Sequence, residues 1–239
     1  MQRLMTRIAL TLIVFMAPGM APGMAAAAER SYSVTDFERI RIEGPFDVKL
    51  VTGKPPSARA QADQRTLDLL KLRVESATLI VAMGGSGWGE TPKAVRNAPI
   101  ITITTHNLRV AMVNAGGRLQ IDRMNGQRLD LAVHGNGVLT VNSVKADQLN
   151  ATLIGSGSII LAGRTGRANL QSNGTGVVDA GALTANDLKI MLDGPGEVKA
   201  AARYTARITS TGIGKVSVSG NPSCTVTAVA GGPVICGAN

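Results

Sequence analysis

Aromatic residues are nearly missing from this chain, which has one Trp, two Tyr and three Phe in 239 residues. A globular α/β core normally draws on more aromatic volume than that, so such a core is not expected. A thin core of stacked small aliphatics would not need it. Histidine is as scarce: His106 and His134 are the only two, and no Ser-His-Asp set with supporting motifs accompanies them. Acids are outnumbered, 16 Asp and Glu against 25 Lys and Arg, giving a formal net charge of +9. A pI near 10.2 would suit nucleic acid. No aromatic side chains are interleaved with the basic ones, however, and the compartment argued below opposes that partner, so none is expected.

Long apolar runs are also lacking. The longest lies at the start, and it reads as a secretory signal peptide over residues 1–28. Arg3 and Arg7 form its positive end, Ile8 to Met16 its apolar core, and Ala26-Ala-Ala28 its small-residue cleavage site. Pro18 and Pro22 interrupt the segment and the apolar core is short, so a membrane anchor is not expected. No cysteine follows the cleavage site, so no lipoprotein anchor is indicated. The mature chain should be exported, to the periplasm or to the cell surface, with no transmembrane segment.

Only two cysteines are present, Cys224 and Cys236. In an oxidising compartment an even pair at this spacing is expected to form a disulfide. Without a histidine nearby, a metal site is not expected there, and no cofactor is expected anywhere.

What the chain has in abundance is glycine, 28 residues, and much of it is periodic. Seven segments align: LRVAMVNAGGRLQI, LDLAVHGNGVLTV, LNATLIGSGSIIL, ANLQSNGTGVVDA, LKIMLDGPGEVKA, ARITSTGIGKVSV and CTVTAVAGGPVIC. Each sets a Gly-x-Gly, or a near variant, between two alternating apolar stretches. The first small residues of the turns are Ala115, Gly135, Gly155, Gly174, Gly194, Gly212 and Ala230, spaced by 20, 20, 19, 20, 18 and 18. Period-two alternation, as in Leu129, Leu131, Val133 or Leu149, Ala151, Leu153, marks half-buried strands. A unit of two short strands, a glycine corner and a polar loop cannot bury its apolar face alone. Stacked in parallel on its neighbours it can, and like residues then lie over like. The fold class expected is therefore all-β: a right-handed parallel β-helix of about seven 18–20-residue rungs, over residues 106–239. An antiparallel β-sandwich is the alternative. Ser172 and Ser210 fall in an inward column and would each need a hydrogen-bond partner. Cys224 and Cys236 fall in inward columns of the last rung, where a disulfide would staple the end.

Residues 29–105 differ. FERIRIEGPFDVKLVTG and LKLRVESATLIVAM read as strands, with a hairpin-like turn at Glu43-Gly44-Pro45, and a Gly-rich loop follows at 84–99. This region is expected to form an N-terminal β cap continuous with the solenoid. The phrase FERIRIEGPFDVKLVTG, then LRVESATLIV, then the glycine-punctuated repeats, resembles the head GIN domain of autotransporter adhesins over roughly residues 35–235. The resemblance implies a β-helical extracytoplasmic domain with an adhesive or binding role and brings no catalytic residues. The chain ends at Cys236-Gly-Ala-Asn239, with no room for a translocator barrel, so the resemblance is not expected to extend to self-secretion.

Catalysis on a β-helix would need stacked acids. Asp122, Asp147, Asp179, Asp187 and Asp193 instead fall in different columns, and the calcium nonapeptide and phosphate-loop patterns are absent. No catalytic site is expected. Charge does show a pattern. Arg123, Arg128, Lys145, Arg164, Arg167, Arg203 and Arg207 recur between rungs and should form one basic ridge. It is either a solvated face or a contact surface for an anionic envelope polymer, polysaccharide or lipopolysaccharide. Trp88, in the Gly-rich loop, is a candidate anchor for a sugar or a protein partner. The function expected is that of a non-catalytic, adhesin-like binding or structural module of the envelope. The alternatives are a polysaccharide-active enzyme and a periplasmic module that docks another envelope protein.

Overall fold

Alternating apolar residues become strand in every repeat. The computed structural model describes residues 28–84 and 98–238, and it is 72% strand and 3% helix. The first half carries β1 (Ala28–Tyr32), β2 (Arg39–Glu43), β3 (Asp47–Thr52), β4 (Ser57–Ala62), α1 (Gln64–Leu69), β5 (Leu70–Glu75), β6 (Thr78–Met83) and β7 (Ile100–Thr105). The repeats carry β8 (Val110–Asn114), β9 (Arg118–Ile121), β10 (Met124–Gly135), β11 (Val138–Gly155), β12 (Ser158–Asn173), β13 (Val177–Asp193) and β14 (Glu197–Ser210). The last are β15 (Lys215–Gly220), β16 (Ser223–Ala228) and β17 (Val234–Ala238).

From β8 onward every strand pairing is parallel, so the sandwich alternative does not hold. The stacked coils form a β-solenoid of about 6 turns, close to the seven rungs expected. Leu129, Leu149, Ala168, Leu188 and Ala206 stand over one another in register. So do Leu119, Leu139, Ile159, Val178, Val198 and Val216 on the second face. All are buried. Volume is conserved within a coil: where Leu149 gives way to Ala168 in one column, Ala151 gives way to Leu170 in the next. Full burial of each Leu, Ile or Val contributes about 1.5–3 kcal/mol, and near-constant volume per coil keeps the column free of voids.

The sequence reads as two strands and a loop per repeat, but the coil has three sides. Met124, Val144 and Gly163, then Asn125, Lys145, Arg164 and Thr184, pair rung on rung as a short third strand. Met124, Val144 and Leu183 point inward there. Both glycines of the corner need their lack of a side chain: a Cβ on Gly176 would lie 2.6 Å from the Gly157 carbonyl of the coil below, and the first glycine of the corner also takes a left-handed φ. Gly155 and Gly174 have φ of +118° and +119°, and a Cβ on either would lie 2.5 Å from the corner carbonyl of the coil below.

Before the repeats, chain order and stacking order part. β2 pairs in parallel with both β6 and β8, and β3 with both β7 and β9. The β2–β3 coil therefore lies between a coil built after it and the first glycine repeat. Residues 106–109 step across it, with the Thr105 hydroxyl donating to the Phe37 carbonyl at 2.8 Å and the Arg109 amide to Glu38 at 2.8 Å. Glu43-Gly44-Pro45 is accordingly a coil corner and not a hairpin turn, since β2 and β3 bond to different neighbours. At the outer end β5 runs antiparallel on β6, β4 on β7, and β1 on β4. The single turn-and-a-half of α1 starts at Asp63. That carboxylate accepts from the Thr66 amide at 3.0 Å and from its hydroxyl at 2.6 Å, which holds it below the usual carboxylate range.

At the opposite end Cys224 and Cys236 form the expected disulfide, Cα–Cα 6.3 Å. They continue the Ala206 and Val218 columns, so the bond ties the two main faces together across the final coil. Because it is the final coil, Cys224 is exposed in spite of its inward register. Of the two inward serines, Ser210 reaches the Gly212 carbonyl at 3.4 Å, whereas the Ser172 hydroxyl, between Leu153 and Leu192, has no partner among the described residues.

Two stability predictions follow from this packing. Ser172→Ala should stabilise the protein by about 1 kcal/mol in urea unfolding, because a buried unpaired hydroxyl is removed; a loss would mean that the hydroxyl is bonded. Replacing both cysteines by serine should destabilise it by up to about 3 kcal/mol. An unchanged midpoint would show that the staple holds only the end coil.

Candidate functional site

The third strand of each coil decides where the basic residues stand. Its inward positions are apolar except for Thr165, whose hydroxyl donates to the Arg167 carbonyl at 3.1 Å, so its alternate positions face solvent, and parallel stacking sets these outward side chains about 4.8 Å apart from coil to coil. Lys145 pairs directly with Arg164, and Thr184 follows in the same column. This side forms an open groove of about 1320 Å³, walled by Arg123, Lys145, Arg164 and Arg203 and containing one acid, Asp147.

Around the next bend lies a second groove of about 450 Å³. Two outward columns make it. One runs Gln148, Arg167, Asp187, Thr205, and the other Asn150, Asn169, Lys189, Arg207. The seven expected basic residues therefore do not form one ridge. Four line the first groove, Arg167 and Arg207 line the second, and Arg128 lines neither. The bend between the third strand and the first main face separates them.

Pairing divides them further. Arg128 is held by Asp130 at 3.2 Å and Arg123 by Asp122 at 3.4 Å. Among the described residues no carboxylate lies within 4.0 Å of Lys145, Arg164, Arg167, Arg203 or Arg207. Those five cations keep their charge available to a ligand. The acids nearby are engaged elsewhere or stand alone: Asp187 accepts from the Thr205 hydroxyl at 2.7 Å, and Asp130 accepts from Asn150 at 2.7 Å.

Two residues that line the grooves, Lys189 and Asn186, and Tyr204 beside them escaped the sequence reading. Lys189 stands between inward Leu188 and Ile190, so the period-two pattern would have placed it outward. Asn186 and Tyr204 occupy the bend, where the sequence reads as loop. Trp88 lies outside the described residues. Among the described residues no group of three or more His, Cys, Asp or Glu gathers as a metal site would require. No helix there is long and apolar enough to cross a membrane.

Long parallel coils with an outward polar groove define a β-solenoid of the extended-surface kind, and the family follows from the sequence that builds it. Residues 36–222 match the family described as "Putative auto-transporter adhesin, head GIN domain", and the chain belongs to it. Solved structures share the fold. A "putative adhesin" from Bacteroides fragilis superposes with a TM-score of 0.77 at 24% identity, over 88% of this chain and 96% of that one. A "putative adhesin" from Parabacteroides distasonis gives 0.69 at 20% identity, over 89% and 97%. A "putative lipid binding protein" from Parabacteroides distasonis gives 0.67 at 18%, over 87% and 96%. No curated protein matches the chain.

Proposed function

We propose that this protein is a non-catalytic binding module of the bacterial envelope, exported by its first 28 residues, and that its third-strand groove holds an anionic envelope polymer. The observation that carries the reading is the set Lys145, Arg164 and Arg203. These cations wall one groove, two of them on directly stacked rungs, and none has a carboxylate partner within 4.0 Å among the described residues. A repeating ligand matches a repeating wall, because each anionic unit meets the same chemistry one coil further on. Unpaired cations in a concave polar groove raise the local concentration of such a polymer. Membership of the adhesin family supports binding over chemistry. The strand β1 begins at Ala28, so removal of the leader after that residue leaves the fold almost entire.

The test is direct. Lys145→Ser combined with Arg164→Ser should weaken binding to an acidic polymer by about tenfold or more at low salt and flatten its salt dependence. The melting temperature should not move, because both side chains are outward. Unchanged affinity would leave this groove without a role and turn attention to a protein partner.

A further inference from the structure

Tyr204 is the only aromatic residue between His106 and Asn239, and it is not in the core: it is 58% exposed. The backbone puts it there. Ala185 pairs with Ala202 and Asp187 with Thr205, so Arg203 and Tyr204 together oppose the single residue Asn186. One extra residue makes a bulge in an otherwise regular bend, and such bulges re-aim side chains outward. Arg203 lines the first groove and Thr205 the second, which sets Tyr204 on the rim that divides them. The Arg203 guanidinium lies 6.0 Å from the centre of the Tyr204 ring.

An exposed ring beside a guanidinium suits one kind of ligand. The C–H face of a sugar ring packs on an aromatic ring, and a guanidinium takes a carboxylate in a two-point contact. The surroundings sharpen the choice. A site for closely spaced phosphates would exclude carboxylates, yet Asp147 stands in the first groove and Asp187 in the second. Carboxylates, the amides of Asn150 and Gln148 and the hydroxyl of Thr205 are acceptors and donors for sugar hydroxyls. We infer that the Arg203–Tyr204 bulge is a recognition point for an acidic polysaccharide whose units carry both hydroxyls and a carboxylate. This deepens the reading of the basic groove and rests on it.

The experiment uses the purified exported protein with polygalacturonate as probe. Inorganic polyphosphate, phosphatidylglycerol vesicles and neutral dextran serve as comparisons. The expected result is binding to polygalacturonate in preference to polyphosphate and vesicles. Tyr204→Ala should weaken it by about tenfold or more, Tyr204→Phe should largely restore it, and the melting temperature of both variants should equal that of the parent. Binding to polygalacturonate that ignores Tyr204→Ala would overturn the bulge as a recognition point while leaving the groove in place. Equal binding to polyphosphate or vesicles would replace the glycan with a generic anionic surface. Binding to none of the anionic probes would remove the groove reading itself.

Discussion

Everything in this molecule depends on each coil lying in register on the one before it. Parallel ladders fix the separation at about 4.8 Å, and at that distance like side chains must share the same space from coil to coil. The corners show how tight the constraint is: any Cβ on Gly155 or Gly174 would collide with the carbonyl of the corner below. The same register makes the core possible without aromatics. A stack of Leu, Ile, Val and Ala columns fills a coil only one side chain deep on each wall. The two core phenylalanines, Phe37 and Phe46, lie in the N-terminal part of the stack, where the repeat has not yet settled.

Register also organises the surface. An outward position in one coil becomes a line of positions along the rod, so a few residue choices produce a groove rather than a spot. In the first groove the lines are basic and mostly unpaired. In the second they mix amides, a carboxylate, a hydroxyl and cations. Arg123 and Arg128, tied to neighbouring acids, contribute shape more than free charge. The solved structures it resembles share this fold.

Much of the architecture was legible in the sequence because stacking leaves a periodic record. The glycine spacing, the alternation in Leu129, Leu131 and Val133, and the inward register of both cysteines all survive into the structure. Three features did not show. The third strand is short and its outward residues are polar, so segments such as Val144-Lys145-Ala146 read as loop. The insertion of β2–β3 between later coils rests on long-range pairing, which no local pattern records. The Arg203–Tyr204 bulge is hidden by compensation. The Gly194–Gly212 repeat is shorter than most, since Ala200 and Ala201 pair across to Ala180 and Thr184 with the intervening residues missing. That deletion conceals the one-residue insertion a few positions later. The division of the basic residues into two grooves follows from the same unseen bend.

A ligand held along the stacked outward columns of the third strand and its bend should leave a footprint that repeats with the coils. Hydrogen–deuterium exchange of the protein, with and without polygalacturonate, locates the bound ligand. Added protection is expected only at residues 143–147, 163–167, 184–187 and 203–205, repeating once per coil. Protection at the glycine corners instead, or at the outer strands β1 and β5, would contradict it.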